Sequence, residues 1–179
     1  MSTLIIVDIQ NDYFPGGRMT LHEIERAAEN ARRLLDHFRN TGQPTVHMQH
    51  TWEDPSAPFF VGGTPGAQIH ESVAPRSGEP VVVKHFPNSF RESPLLQELQ
   101  RTGAKDLTIC GAMSHMCIDA TTRAAADLGF NCTVVHDACT ARDVEFQGNK
   151  VAADDVHAAY MSALGFAYAK LLSTADATR

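Results

Sequence analysis

The sequence is short of several things, and each shortage removes a class of protein. It has no apolar run near the roughly 20 residues of a membrane-spanning helix, so no membrane partner is expected. Basic residues are outnumbered, 15 Lys and Arg against 21 Asp and Glu, which leaves a net charge of -6. A general nucleic-acid binder needs a basic face, and this balance supplies none. The cysteines number only 4, at positions 110, 117, 132 and 139, with no C-x-x-C pair among them. They fall in or beside regular elements, which reads as reduced thiols in a cytoplasmic protein. There is no internal repeat, low-complexity tract or linker, and Met1-Ser2-Thr3 runs straight into a strand-like segment, so no signal peptide is expected. At 179 residues the chain is read as one domain, 1–179, long enough for a substantial core.

What is present centres on Asp106 to Gly129, DLTICGAMSHMCIDATTRAAADLG. A short apolar run, Leu107 to Cys110, meets a small-residue break, Gly111-Ala112-Met113-Ser114. An Ala-rich amphipathic segment follows and closes at Gly129, a good residue just past a helix end. The pattern predicts strand, tight turn, helix, with Ser114 as N-cap. Cys117 then falls in the first helical turn, where the helix dipole favours a thiolate. Open α/β sheets also place ligands at such a junction. Two readings stay open for Cys117 on position alone: a small buried apolar residue, or a nucleophile.

The rest of the chain alternates strand and helix. Leu4 to Val7 is a continuous apolar run, as in a strand buried on both faces, and Asp8 ends it as either a turn former or a site residue. Asn11 to Gly17 is a loop in which Phe14 walls a pocket or covers the core. Ile24 to Asn40 carries Ile24, Ala27, Ala28, Ala31, Leu34, Leu35 and Phe38 on one helical stripe. Thr45 to His50 is the second strand; His47 and His50, three apart, point to opposite faces and cannot share a metal ion. Trp52 to Gly78 is a long loop, a lid, binding loop or interface element by its length, with Trp52, Phe59 and Phe60 as its aromatic cluster. Val81 to Val83 is the third strand, with Lys84 at its tip, a snorkelling surface residue if it stood alone. Phe86 begins a second stretch of pocket-wall candidates. Ser93 and Pro94 open a helix running to about Thr102. Asn131 to His136 is the fifth strand, and Asp137 after it is expected to brace neighbouring loops. Asn149 to Leu164 is the last long helix, with Val151, Ala152, Val156, Ala159, Tyr160 and Ala163 inward, and Phe166 to Leu172 is a sixth, edge strand. This alternation predicts a parallel sheet flanked by helices on both faces.

Three segments together resemble the isochorismatase-like cysteine hydrolase superfamily, which includes nicotinamidases and other small-amide hydrolases. They are LIIVDIQNDYFPGG from Leu4, VVVKHFPNSF from Val81 and ICGAMSHMCIDATTRAAADLGF from Ile109, in the family's order. The resemblance implies a three-layer doubly wound α/β fold with six strands in the order 3-2-1-4-5-6. It implies a triad of Asp8, Lys84 and Cys117, a cis peptide between Ala112 and Met113, and an oxyanion hole from the backbone N–H groups of Met113 and Cys117. Because that hole needs the Cys117 N–H, Ser114 is expected to bond elsewhere. Nicotinamidases carry Asp-x-His for a metal where this chain has His50 and Trp52, so no metal and no cofactor is expected. Thr64-Pro65-Gly66-Ala67 resembles a segment of the non-nicotinamidase branch. The implied activity is cleavage of a C–N bond in a small amide-type substrate through a thioester on Cys117, with Phe14, Trp52 and Phe86 shaping the pocket. Two alternatives stand beside it: isochorismatase-type vinyl-ether hydrolysis, which the presence of Cys117 disfavours, and a non-catalytic or thiol redox-sensing member. The family resemblance also implies a homodimer or homotetramer.

Overall fold

A computed structural model describes residues 2–179. Eight strands form: β1 (Ser2–Val7), β2 (Thr45–His50), β3 (Val81–Lys84), β4 (Asp106–Ala112), β5 (Asn131–Thr140), β6 (Val144–Phe146), β7 (Asn149–Val151) and β8 (Ala169–Leu172). The helices are α1 (Ile24–Asn40), α2 (Leu95–Arg101), α3 (Asp119–Asp127), α4 (Ala153–Ala167) and the short α5 (Thr174–Ala177). Six strands make one parallel sheet in the order β3-β2-β1-β4-β5-β8, while β6 and β7 pair antiparallel apart from it. The sheet order is the expected one; a hairpin in the connection makes its last strand the eighth of the chain.

The sheet centre is where the sequence is most apolar. Leu4, Ile5, Ile6 and Val7 of β1 are each at most 2% exposed. Parallel strands covered by helices on both sides require this. The stripe read on α1 is the face it buries, Ile24 through Phe38. β1 lies between β2 and β4, with Val7 opposite Met48 on one side and Gly111 on the other. The order reverses between β1 and β4, so a crevice opens past their carboxyl ends.

Several local expectations are corrected. The helix expected from Ser114 begins instead as a wider turn, Ser114–Ile118, before α3. The carbonyl of Met113 accepts from the N–H of Ile118, five residues on, at 3.2 Å, and this longer ring is what widens the turn. Pro94, not Ser93, takes the cap position of α2, although the Ser93 hydroxyl still accepts from the Leu95 N–H at 3.2 Å. The fifth strand runs on to Thr140. The last long helix starts at Ala153, not Asn149, because Gln147 (φ 51) and Gly148 (φ 80) turn the chain left-handed into the β6–β7 hairpin. Asp143 then caps α4 by accepting from the Ala153 N–H at 2.9 Å. Val151, Ala152, Ala159 and Ala163 are consequently exposed, and the buried face of α4 is Ala153, Val156, Met161 and Leu164. Phe166 lies in that helix rather than in the edge strand. Among the described residues, no helix is long and apolar enough to cross a membrane.

Candidate active site

Three strands and one turn deliver the site. Asp8 follows β1, in a left-handed conformation (φ 52) that a non-glycine residue seldom adopts. Lys84 ends β3 and is the register partner of His50 on β2. Cys117 comes from the wide turn after β4. β3 and β1 are separated by β2, so the Lys84 side chain has to cross a strand to reach Asp8. Its length suffices: Nζ lies 2.7 Å from Asp8 Oδ2, and both side chains are fully buried. The same Nζ donates to Cys117 Sγ at 3.3 Å and to the Phe86 carbonyl at 3.1 Å, and lies 3.1 Å from His50 Nδ1. Asp8, Lys84 and Cys117, 109 residues apart along the chain at the extremes, therefore meet around one ammonium.

Burial sets the electrostatics. It pulls the Lys84 ammonium down, but the Asp8 carboxylate foremost, with Cys117 beside it, outweighs burial and the net displacement is upward. Burial pushes the Cys117 thiol up, the Asp8 carboxylate pushes it further, and Lys84 opposes both. The resting sulfur is thus a thiol. Desolvation and the neighbouring carboxylate work against the pull toward thiolate that a helix end exerts. Burial, then Lys84, lower His50 to about 4, so its ring is neutral.

Two details of the surrounding turn stand as expected. The Ala112–Met113 peptide is cis. The Ser114 hydroxyl bonds His157 Nδ1 at 2.8 Å rather than capping the turn. Asp137 is a structural hydrogen-bonding residue as expected, but it holds helices rather than loops, its Oδ1 accepting from the Thr174 N–H of α5 at 2.7 Å and its carbonyl from Asn30 of α1 at 2.7 Å.

The three aromatic candidates separate. Trp52 packs on His50, ring centroids 4.9 Å apart, and so borders the triad. Phe86 borders it through its carbonyl, while its ring lies beneath the Arg91 guanidinium at 3.7 Å. Phe14 stacks on His70 at 3.6 Å. Its neighbour Tyr13 is the ring that feels the site: burial raises its hydroxyl, and the charges of Cys117 and Asp8 raise it further. Gln10 and Asp12 were missed. Gln10 grips β2 and the long loop together, donating to the His50 and Ala67 carbonyls and accepting from the His50 N–H, all at 2.8 Å. Asp12 accepts from the Phe60 N–H at 2.7 Å. Two polar side chains in a stretch flanked by buried apolar residues are the available signal.

One donor atom each from Asp8, His50 and Cys117 lie within 4.8 Å of one another, the spacing of a metal site. The Lys84 ammonium touches all three, so a cation is already supplied by the chain. The triad is close-packed, with Cys117 4% exposed. A cleft of about 440 Å³ lined by Arg39, Gln43, Arg76 and Arg101 lies at the amino ends of the strands, far from this chemistry.

Comparison with known proteins places the chain. A family model described as the isochorismatase domain matches residues 2–163. YddQ, an isochorismatase family protein of Bacillus subtilis, is 50% identical over 173 residues, covering 97% of this chain and 96% of that protein. A crystal structure from Oleispira antarctica, assigned to the isochorismatase hydrolases, is 50% identical, superposes with a TM-score of 0.96 and covers 99% of this chain and 95% of its own. Streptothricin hydrolase of Streptomyces noursei is 33% identical over 146 residues, 80% of this chain and 51% of that protein.

Proposed function

The chain belongs to the isochorismatase family, and from that premise we propose that it is a cysteine hydrolase cleaving a C–N bond of a small amide-type substrate through a thioester on Cys117. The observation that carries this reading is the Lys84 ammonium held 2.7 Å from Asp8 and 3.3 Å from Cys117 Sγ in a buried site. The similarity to a protein named streptothricin hydrolase supports hydrolysis as the reaction class.

In this mechanism Asp8 takes the Cys117 proton as the sulfur attacks the carbonyl carbon. The resting thiol makes such a base necessary. The oxyanion forms against the N–H groups of Met113 and Cys117, where one donor is worth ~3 kcal/mol. Asp8 returns the proton to the nitrogen, the C–N bond breaks, and the amine leaves. A water then gives its proton to Asp8 and attacks the thioester. The acid departs and the sulfur recovers the proton. Lys84 keeps the Asp8 carboxylate in place throughout and offsets the negative charge that passes between oxygen and sulfur. Trp52, Phe86 and Phe14 or its neighbour Tyr13 would wall the substrate.

Four free cysteines suit a reducing, cytoplasmic setting. Exposed Phe146 and Phe166 suit assembly into a homodimer or homotetramer, which light scattering reads directly.

The test is intact-mass spectrometry and turnover over a panel of small amides, including nicotinamide, ureido compounds and hydrazides. An acyl adduct on Cys117, with turnover abolished in Cys117→Ala, is the expected result. A panel that yields only sulfenic or disulfide states of Cys117 overturns the hydrolase in favour of a redox sensor.

A further inference from the structure

His50 and Lys84 stand opposite one another on adjacent strands. An ammonium only donates, and its three hydrogens are shared among Asp8, Cys117, the Phe86 carbonyl and His50, so across their 3.1 Å contact His50 Nδ1 presents its lone pair rather than a proton. The ring is neutral, and its one proton must sit on Nε2. That Nε2 is buried and has no hydrogen-bond partner within the protein. The indole Nε1 of Trp52 is in the same condition, and it too can only donate. The two rings pack against each other, centroids 4.9 Å apart and planes inclined by 38°. Native proteins seldom leave one buried donor unpaired, because it forfeits its hydration for nothing. Here two do so on touching rings, one of them bonded to the ammonium that binds Cys117.

We propose that His50 Nε2–H and Trp52 Nε1–H jointly receive a neutral carbonyl-type oxygen of the substrate, distinct from the carbonyl that Cys117 attacks. This rests on the hydrolase reading for its location and extends it to a substrate class: small amides that carry a second carbonyl or urea oxygen. A carboxylate fits less well. Both donors are uncharged, and Lys84, the buried cation among the described residues, is already paired with Asp8. An anionic arm would be buried without a counter-ion.

The chain has 1 tryptophan, so its indole N–H gives one unambiguous NMR signal. In full-length Cys117→Ala, titration with malonamide should move that signal, whereas butyramide, equally long but lacking the second carbonyl, should not. Long-range nitrogen spectra should show His50 as the Nε2–H tautomer at neutral pH. In the active protein, kcat/KM for malonamide should exceed that for butyramide, and for the anion malonamate, by about tenfold, the worth of one net hydrogen bond. Trp52→Phe removes one donor. His50→Asn keeps an oxygen near the position of Nδ1 for Lys84 and removes the other. Each should shrink the preference for malonamide to within about twofold, through KM more than kcat. An indole signal unmoved by malonamide up to its solubility, an Nδ1–H tautomer, or a preference that survives both substitutions overturns the proposal. A moved indole with no amide turned over by the wild type would sink the hydrolase reading and leave this recognition standing. Equal turnover of both amides with an unmoved indole would do the reverse.

Discussion

Lys84 Nζ lies 2.7 Å from Asp8 Oδ2, with neither side chain exposed to solvent. A buried pair of this kind owes its tolerance to mutual neutralisation, since each charge alone would be strongly desolvated. Lys84→Met should therefore destabilise the fold by roughly 3–5 kcal/mol, because Asp8 is left charged and unpaired. The double variant Lys84→Met with Asp8→Asn should recover a substantial part of that loss while remaining inactive. Urea denaturation of the two single variants and the double closes the cycle. Equal stability of the single and double variants would mean that the pair does not balance.

The thiol of Cys117 yields a prediction with an unexpected sign. Asp8 is one of the groups that push it up, and Lys84 pulls it down. Asp8→Asn removes the first and keeps the second. Turnover should fall by at least about a hundredfold, the usual reach of a general base. Alkylation of Cys117 by iodoacetamide at pH 8 should nonetheless become faster than in the wild type, because more of the sulfur is thiolate. Slower alkylation would show that Asp8 does not restrain the thiol electrostatically.

Much of this site could be read from the chain, and the rest could not for identifiable reasons. Asp8, Lys84 and Cys117 each end or follow a short apolar run, and strand ends are where a parallel sheet presents its chemistry. How Lys84 reaches Asp8 across β2 depends on side-chain length and sheet twist, which no periodicity encodes. The Cys117 thiol is set mainly by desolvation, a property of the packed molecule that no local pattern around a helix end reveals. The start of α4 was misplaced because the apolar spacing of Val151, Ala152 and Val156 imitates a helix. The turn at Gln147-Gly148 overrides it, and Gln is not a residue that announces a hairpin. Gln10 and Asp12 were passed over because their work is to hold backbone, and sequence patterns register side-chain faces better than backbone partners.

Stability should have a plateau between about pH 6.5 and 9. On the alkaline side, burial raises Cys117 and Cys110, and raises Cys132 to about 11 and Cys139 to about 12, from an ordinary thiol value of 9.0. The folded chain then holds protons that the unfolded chain releases, so stability falls above pH 9, by up to about 1.4 kcal/mol per pH unit for each fully buried thiol. On the acidic side, His50 is lowered from 6.5 to about 4, so the unfolded chain binds protons that the folded one refuses. Stability falls as pH drops through that window. Glu79, lowered to about 2 chiefly by its bonds from Arg39, adds a further loss below 4.5. Urea midpoints from pH 4 to 11 check both limbs, and Cys139→Ala should flatten the alkaline one if the thiols cause it.

Gln10 ties β2 to the long loop through one amide. Its nitrogen serves the carbonyls of His50 and Ala67, and its oxygen serves the His50 N–H. Gln10→Leu fills similar space and satisfies none of the three; the Ala67 carbonyl keeps its bond from the Gln49 side chain at 2.8 Å, so the two His50 backbone groups carry the loss. Buried backbone groups left without partners cost about 1–3 kcal/mol each, and partial relaxation should hold the total to roughly 2–5 kcal/mol. A general loss of stability would speed amide exchange everywhere that global unfolding governs it. Release of this one tie should do more locally: exchange at His50 and at Trp52, whose N–H bonds the Phe60 carbonyl at 2.8 Å, should accelerate beyond the change seen in β1 and β4. KM should also rise more than kcat falls, since the triad keeps its own strands while Trp52 loses its seat. Uniform acceleration across the sheet, with KM unchanged, would make Gln10 a plain core residue and leave the position of the loop to Asp12 and the packing of Phe60.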